Sequence, residues 1–238
     1  MQTRYLGDSH DFIKFALLRH VHRQCRLRLG VNWYLTHPEE VDRQGSSDGE
    51  MRHHLTHPAW AAWDDELLEA IRDFEVPEHR TLAALKAAGI LPTDTLFFEE
   101  PVAQRAREGW HARATEALAD ADLVFLDPDN GMEVKPQSMT GRRKAKYAYY
   151  AEMSSYYEQK QAVIAIQFAG RSDPIELGFT VRAKLASQLA RPVSLPIVRG
   201  RITPNILFVA VAPNGMATAL ASALRSFGSS GPKVELIP

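Results

Sequence analysis

Acidic side chains follow the end of one apolar segment of the sequence. The run 123–126 (Leu-Val-Phe-Leu) leads directly into Asp127, Pro128 and Asp129. A short apolar run that is bounded by turn residues is typical of a strand buried on both faces. Open α/β sheets bind their ligands at the carboxyl ends of such strands, so Asp127 is the leading candidate for chemistry.

One chemistry open to these acids is metal-dependent cleavage of nucleic acid. Asp127, Asp129 and Glu133 offer the oxygen ligands that hard divalent cations prefer, and Asp8 and Asp11 could lie nearby. With Lys135, they form a spacing similar to the Pro-Asp…Glu-x-Lys pattern of nucleases. Nucleases normally carry these acids on two paired strands, and the residues between Asp129 and Glu133 leave no room for a turn. The metal site is therefore kept as an alternative.

The elements that would position Asp127 alternate between strands and helices along the chain. Strands are predicted near 29–35, 96–98, 123–126, 162–166, 193–198 and 206–212, and helices near 10–24, 60–74, 80–88, 103–119, 142–159, 175–189 and 217–227. This alternation predicts a mostly parallel sheet covered by helices on both faces. The last two strands have no helix between them, which predicts an antiparallel edge. We expect a single α/β domain over 1–238, with an insertion at about 36–90 that begins with a long loop at 36–58.

A second group of candidates is basic and aromatic. Arg142, Arg143, Lys146 and Tyr147 open the predicted helix 142–159 and suit phosphate contacts combined with base stacking. Gln167 and Arg171 follow the strand 162–166 and should point into the same crevice as Asp127. These six residues are the predicted substrate-binding set.

Composition restricts the class of protein and the compartment. The net charge of −1 hides a segregation, since residues 39–135 hold nine Lys and Arg against twenty-two acids, and residues 136–201 hold eleven against four. Such asymmetry suggests a surface for a polyanion. The single cysteine, Cys25, excludes an internal disulfide, and no apolar run is long enough for a membrane span. We therefore expect a cytoplasmic protein with a nucleic-acid partner and no membrane partner.

Two segments carry a resemblance to a known family. Asp127-Pro128-Asp129-Asn130 resembles the tetrapeptide that amino-methyltransferases place after their fourth strand, and the segment 7–14 resembles the Gly-Asn-x-x-Asp-x-x-Lys segment of RlmJ-like ribosomal RNA adenine-N6 methyltransferases. The resemblance covers about the first twenty residues and about 120 to the end.

The resemblance implies a Rossmann-like methyltransferase fold with S-adenosylmethionine as cofactor and an adenine of RNA or DNA as substrate. It implies that Gly7, Asp11 and Lys14 lie at the cofactor. It also implies catalytic roles for Asp127, Pro128 and Asn130, because the acid accepts a hydrogen bond from the amine of an extruded adenine.

The chain departs from the family pattern at two places. Asn130 stands where the family has an aromatic residue that stacks on the base, although a tyrosine of the predicted helix 142–159 could replace it. The segment 34–40, after the first strand, contains none of the glycines that allow close approach of the cofactor. A third hypothesis is therefore a nucleic-acid-binding protein of the same fold without catalysis.

Overall fold

A seven-stranded sheet forms the centre of the computed structural model, which describes residues 1–42, 51–133 and 141–237. The order of strands across this sheet is β2-β1-β3-β6-β8-β7-β9, and β4 and β5 form a separate two-stranded ladder. The strands are β1 (Leu29–Asn32), β2 (Leu96–Phe98), β3 (Leu123–Leu126), β4 (Gly131–Met132), β5 (Tyr147–Ala148), β6 (Ala162–Phe168), β7 (Ile197–Gly200), β8 (Ile206–Val211) and β9 (Val234–Ile237).

The sheet is parallel over one half and antiparallel over the other. β2, β1, β3 and β6 pair in parallel, with Asn32 beside Leu126 and Leu126 beside Ala165. β8 then runs antiparallel to both β6 and β7, and β9 runs antiparallel to β7. The prediction of an α/β fold with an antiparallel edge is confirmed, and the sheet is compatible with a Rossmann-like fold.

Helices cover both faces of this sheet. They are α1 (Ser9–Cys25), α2 (Pro38–Val41), α3 (His53–Thr56), α4 (Pro58–Ala61), α5 (Asp65–Arg72), α6 (Leu82–Ala87), α7 (Arg107–Ala117), α8 (Tyr150–Glu158), α9 (Pro174–Gln188) and α10 (Asn214–Phe227). Side chains alternate along β3, so Leu123 and Phe125 pack into the core under α1 and α10, while Val124 and Leu126 pack into the core under α7, α8 and α9. No helix in the described ranges is both long and apolar enough to cross a membrane.

The helix that reaches the site, α1, begins and ends with clear local signals. The carboxylate of Asp8 accepts hydrogen bonds from the backbone N–H groups of His10 and Asp11, which is the usual N-cap arrangement. Arg26 ends the helix in the left-handed conformation. The predicted helix at 10–24 is confirmed, and its first turn is fixed at the edge of the sheet.

The helix predicted over 142–159 is wrong in its first half. Gly141–Lys146 is a 3-10 helix, β5 follows, and α8 begins only at Tyr150. The carbonyls of Lys146 and Ala148 accept hydrogen bonds from the N–H groups of Asn130 and Glu133. Because these carbonyls are committed to the segment after β3, they cannot continue an α-helix.

Other differences lie near the insertion and at the last strand. The segment 36–58 holds α2 and α3 in its described part, where a loop was expected. The helix predicted over 60–74 is divided because the carboxylate of Asp64 caps a new helix by accepting from the N–H of Leu67 at 3.0 Å. The strand predicted at 193–198 is shifted to 197–200, and β4, β5 and β9 were not expected.

Candidate functional site

A cavity of about 680 Å³ lies where α1 begins and where β3 and β6 end. Its walls come from seven parts of the chain: residues 1–5, Asp8 with the first turns of α1, Met51, the turn 127–130 after β3, Lys146–Tyr147, the end of β6, and Thr203–Pro204 after β7. The chain leaves β1 toward β2 on one side and leaves β3 toward β6 on the other. The cavity therefore lies beside the point where the strand order reverses, which is where open α/β sheets bind ligands.

Asp127 is the most buried acid of this cavity, with 1% of its surface exposed. Its Oδ1 lies 2.8 Å from Nζ of Lys14. Among the described residues, Oδ2 has no hydrogen-bond partner. A buried carboxylate oxygen without a partner is costly, so this atom is a natural acceptor for a donor on a ligand.

Lys14 connects Asp127 to Asp11. Its ammonium group donates to Oδ1 of Asp11 at 3.0 Å, and it is itself buried. Burial raises the pKa of Asp11 to about 6. The negative charges of Asp8 and Asp127 also raise it, and the ammonium group of Lys14 opposes this rise. The pKa of Lys14 is raised although burial opposes this, because Asp11 and Asp127 stabilise the ammonium form. The three side chains form one buried ionic cluster.

Gly7 holds this cluster through its backbone. Its N–H donates to Oδ2 of Asp11 at 2.9 Å, and its φ of +79° lies in the left-handed region. A Cβ at Gly7 would lie 2.5 Å from Cβ of Phe74. Gly7 therefore positions Asp11 and is not part of the cavity wall.

The turn after β3 is fixed by contacts to distant segments. Pro128 is buried, and Asn130 lines the cavity while its N–H donates to the carbonyl of Lys146 at 2.8 Å. Oδ2 of Asp129 accepts from Thr36 at 2.6 Å and from Gln2 at 3.1 Å. Although burial opposes it, the Met1 ammonium at 3.0 Å and the bond from Thr36 lower the pKa of Asp129.

Gln167 lines the cavity but uses its amide to hold the turn. Its Oε1 accepts from the N–H of Met132 at 2.9 Å, and its Nε2 donates to the carbonyl of Phe168. Gly131 has a φ of +101°, and a Cβ there would lie 2.8 Å from Cα of Gln167. Gln167 is therefore a positioning residue for the turn at the carboxyl end of β3.

The predicted basic residues are divided between the cavity and its surroundings. Lys146 and Tyr147 line the cavity, and Lys146 also forms an ion pair with Asp42. Arg143 and Arg171 are exposed and lie close in sequence to lining residues. The side chain of Arg142 lies outside the described part of the chain.

The arrangement of the described acids differs from the one a metal site needs. Glu133 accepts from the N–H of Tyr150 at 2.8 Å, and the ammonium of Lys14 lies between Asp11 and Asp127. Within residues 1–42, 51–133 and 141–237, no group of three acid, histidine or cysteine side chains is arranged to hold a metal ion. Lys135, which completes the nuclease-like pattern, lies outside these ranges.

Residues after β1 fill the place where the methyltransferase resemblance puts a glycine-rich turn. Tyr34 is fully buried with a φ of +46°, and its hydroxyl donates to Glu152 at 3.0 Å. The Met1 ammonium donates to the carbonyls of Tyr34 and Asp127 and so lies between the ends of β1 and β3. Tyr34 and Met1 do not fit S-adenosylmethionine after β1, because their atoms cover the backbone that a glycine-rich turn would expose to the cofactor.

Several lining residues were not among the predicted set. Phe168 follows Gln167 directly, and His10, whose Nε2 lies 2.8 Å from the carbonyl of Pro204, packs edge-on against Phe168 at 5.2 Å. The sequence signal that could have identified Phe168 and His10 was their position next to the predicted ends of a strand and a helix. The contacts of Met1 had no signal in the sequence.

Comparison of the chain with protein-family models, with curated proteins and with solved structures gives no match.

Proposed function

We propose that this chain binds nucleic acid and takes up a base with an exocyclic amine in the cavity at the ends of β3 and β6. The observation that carries the proposal is Oδ2 of Asp127, a buried acceptor without a partner among the described residues. An exocyclic amine of adenine or cytosine supplies a donor for this atom. Uracil and hypoxanthine present a carbonyl in the corresponding place and would repel it.

Other lining groups support a base as the ligand. Tyr5, Tyr147 and Phe168 contribute aromatic rings to the walls, and such rings stack on any base. The volume of about 680 Å³ lies within the range of small-molecule sites. Arg143 and Arg171 are exposed beside lining segments and are suited to phosphates that stay outside the cavity.

The test compares nucleosides in which a carbonyl replaces the amine and the adjacent ring nitrogen gains a hydrogen. Adenosine and inosine, and cytidine and uridine, are titrated into the protein by calorimetry. We expect adenosine and cytidine to bind about tenfold or more tightly than their partners, in line with a hydrogen bond to a charged group. Equal affinity within each pair would exclude the role given to Asp127.

An Asp127→Asn variant should reverse the preference between the nucleosides of each pair. Lys14 requires an oxygen, so it should hold Oδ1 of the new amide and turn the NH₂ group toward the cavity. The variant should therefore prefer inosine and uridine, which reverses the wild-type order. Asp120→Asn is the matched control, because the side chain of Asp120 is 85% exposed. A variant that keeps the wild-type preference would contradict the proposal.

A second candidate, adenine-N6 methyl transfer, is favoured by one specific contact. The two segments that carry the resemblance meet in space, since Nζ of Lys14 lies 2.8 Å from Asp127. S-adenosylmethionine would supply the methyl group. This chain would hold the amine at Asp127 and the base against the aromatic walls, so that orientation lowers the barrier. The filled space after β1 requires another position for the cofactor.

Calorimetry with S-adenosylmethionine, followed by transfer of a labelled methyl group to adenine-containing RNA and DNA, separates the candidates. Methyl transfer that is lost in Asp127→Ala, while the variant keeps its fold and its affinity for S-adenosylmethionine, would establish methyl transfer. Selective base binding without cofactor binding or methyl transfer would leave the binding function alone. Cleavage of nucleic acid that depends on Mg²⁺ or Mn²⁺ would instead favour the nuclease hypothesis with Asp127, Asp129 and Glu133.

A further inference from the structure

The part of the cavity wall formed by Asp8, Asp11, Lys14 and Asp127, called its inner end, holds more negative than positive charge. The carboxylates of Asp8, Asp11 and Asp127 line it together with one ammonium group, that of Lys14. The other charged groups of the wall have partners of their own, since Asp129 contacts the Met1 ammonium and Lys146 pairs with Asp42. Three carboxylates therefore face one ammonium group there, and the His10 imidazole lies 3.4 Å from the Asp8 carboxylate.

The free oxygen of Asp127 lies within this excess of charge. Asp8 uses its carboxylate to cap α1, and Asp11 accepts from Gly7 and Lys14. Among the described carboxylates of this end, Oδ2 of Asp127 is thus the oxygen without a partner, on a side chain that is 1% exposed and lines the cavity. A buried negative charge that its surroundings do not neutralise favours a positively charged ligand. The pKa of Asp11 is raised by burial and, despite Lys14, by Asp8 and Asp127, which agrees with an excess of negative charge beside Asp127. The pKa of Asp8 is lowered although burial opposes this, because His10 and Lys14 stabilise its carboxylate.

Aromatic walls suit the same kind of ligand. Tyr147 and Phe168 line the cavity and are half-buried, so ring surface remains available to a ligand. An aromatic face attracts a cation through its ring quadrupole. Tyr5 already carries the guanidinium of Arg4 over its ring at 4.6 Å, which shows that an aromatic side chain of this wall packs against a cation.

We propose that the preferred base in this cavity is positively charged at neutral pH, as an N-methylated base such as 1-methyladenine or 3-methylcytosine is. This inference rests on the proposed function, because it specifies the base that Asp127 accepts. Methylation at a ring nitrogen gives the base a positive charge at neutral pH and leaves the exocyclic nitrogen able to donate to Oδ2 of Asp127. The charge compensates the inner carboxylates, while the flat ring fits the aromatic walls.

The experiment is a four-nucleoside cycle measured by calorimetry on the full chain at neutral pH. The ratio of the affinities for cytidine and uridine measures the effect of the amine. The ratio for 3-methylcytidine and 3-methyluridine, which have nearly the same shape, measures the effect of the amine together with the positive charge. We expect the ratio of affinities in the methylated pair to exceed the ratio in the unmethylated pair by at least tenfold. 1-Methyladenosine and 1-methylinosine repeat the comparison with a purine.

The outcomes distinguish this inference from the function on which it rests. Equal ratios in both pairs would overturn the cationic base and leave amine recognition intact. No binding of any nucleoside would overturn both. The extra preference should also fall in Asp127→Asn but not in Asp120→Asn, with near-UV circular dichroism to verify folding. An extra preference that is unchanged in folded Asp127→Asn would overturn the role of Asp127 in charge recognition.

Discussion

Replacing Asp11 by Asn should stabilise the protein at pH 8, although it removes one end of a buried ion pair. The pKa of Asp11 is raised from its ordinary value of 3.8 to about 6 by burial and by the charges of Asp8 and Asp127, despite the attraction of Lys14. Compared with the unfolded chain, the folded state therefore favours the protonated form of Asp11. An amide has the size and the neutral charge of that protonated form. Gly7 and Lys14 donate to different oxygens of Asp11, so the amide oxygen keeps one of these two bonds and the NH₂ group faces the other donor.

The size and the pH dependence of this effect follow from proton linkage. Between the two pKa values the folded protein binds more protons than the unfolded chain, so the contribution of Asp11 to stability is complete below pH 3.8 and is lost as pH rises through 6. At 1.36 kcal/mol for each pH unit, ionised Asp11 destabilises the wild type by about 3 kcal/mol. Asp11→Asn should recover about 1 to 2 kcal/mol of this at pH 8, because the lost hydrogen bond offsets the rest, and nothing at pH 3.5.

Urea unfolding of the wild type and Asp11→Asn at pH 3.5, 6 and 8 measures the difference directly. Asp120→Asn, an exposed acid, serves as the control and should show a small difference at every pH. The opposite view is that Asp11 and Lys14 form a net stabilising pair, in which case the variant loses about 3 to 5 kcal/mol at pH 8. That loss would refute the reasoning.

Two further substitutions test the supports of the site, each by urea unfolding. Gly131→Ala should lower the free energy of unfolding by about 2 kcal/mol or more and weaken base binding, because φ is +101° and the new Cβ would meet Cα of Gln167. The control is Gly89→Ala, where φ is +62° and the new Cβ meets open space, so that only the backbone strain lowers stability. An equal loss of stability in both variants would show that the contact with Gln167 is unimportant. Tyr34→Phe should lower the free energy of unfolding by about 1.5 to 3 kcal/mol, since the hydroxyl donates to the buried Glu152 carboxylate. No change in stability would mean that Arg107 and the N–H of Tyr149 satisfy Glu152 without this hydroxyl.

The central strands and the edge of the sheet at which the cavity lies could be predicted because both depend on short-range patterns. An apolar run that ends in Asp127 marks a buried strand, and the parallel pairing of β3 with β6 brings Gln167 to the same edge of the sheet. The N-cap at Asp8 similarly fixes where α1 begins, and with it the positions of Asp11 and Lys14. Local chemistry and strand direction suffice for these features.

The remaining features depend on contacts between segments that are far apart in the sequence. The start of α8 was misplaced because Asn130 and Glu133 take the carbonyls of Lys146 and Ala148, which no local pattern of 142–159 reveals. The amide of Gln167 is engaged because Gly131 brings the backbone close to it. The ion pair of Lys14 with Asp127 joins residues more than a hundred positions apart, and only the folded chain shows that the ammonium occupies the space between the carboxylates.

The raised pKa of Asp11 also predicts that binding of the proposed cationic base is coupled to the release of a proton from Asp11. A cation placed beside Asp11, Asp8 and Asp127 stabilises the ionised form of Asp11 and lowers its pKa below about 6. Uptake of such a ligand near pH 6 therefore releases a proton to the buffer, and affinity falls as the pH drops further. The observed heat of binding will then depend on the ionisation enthalpy of the buffer, whereas a neutral base will give the same heat in every buffer.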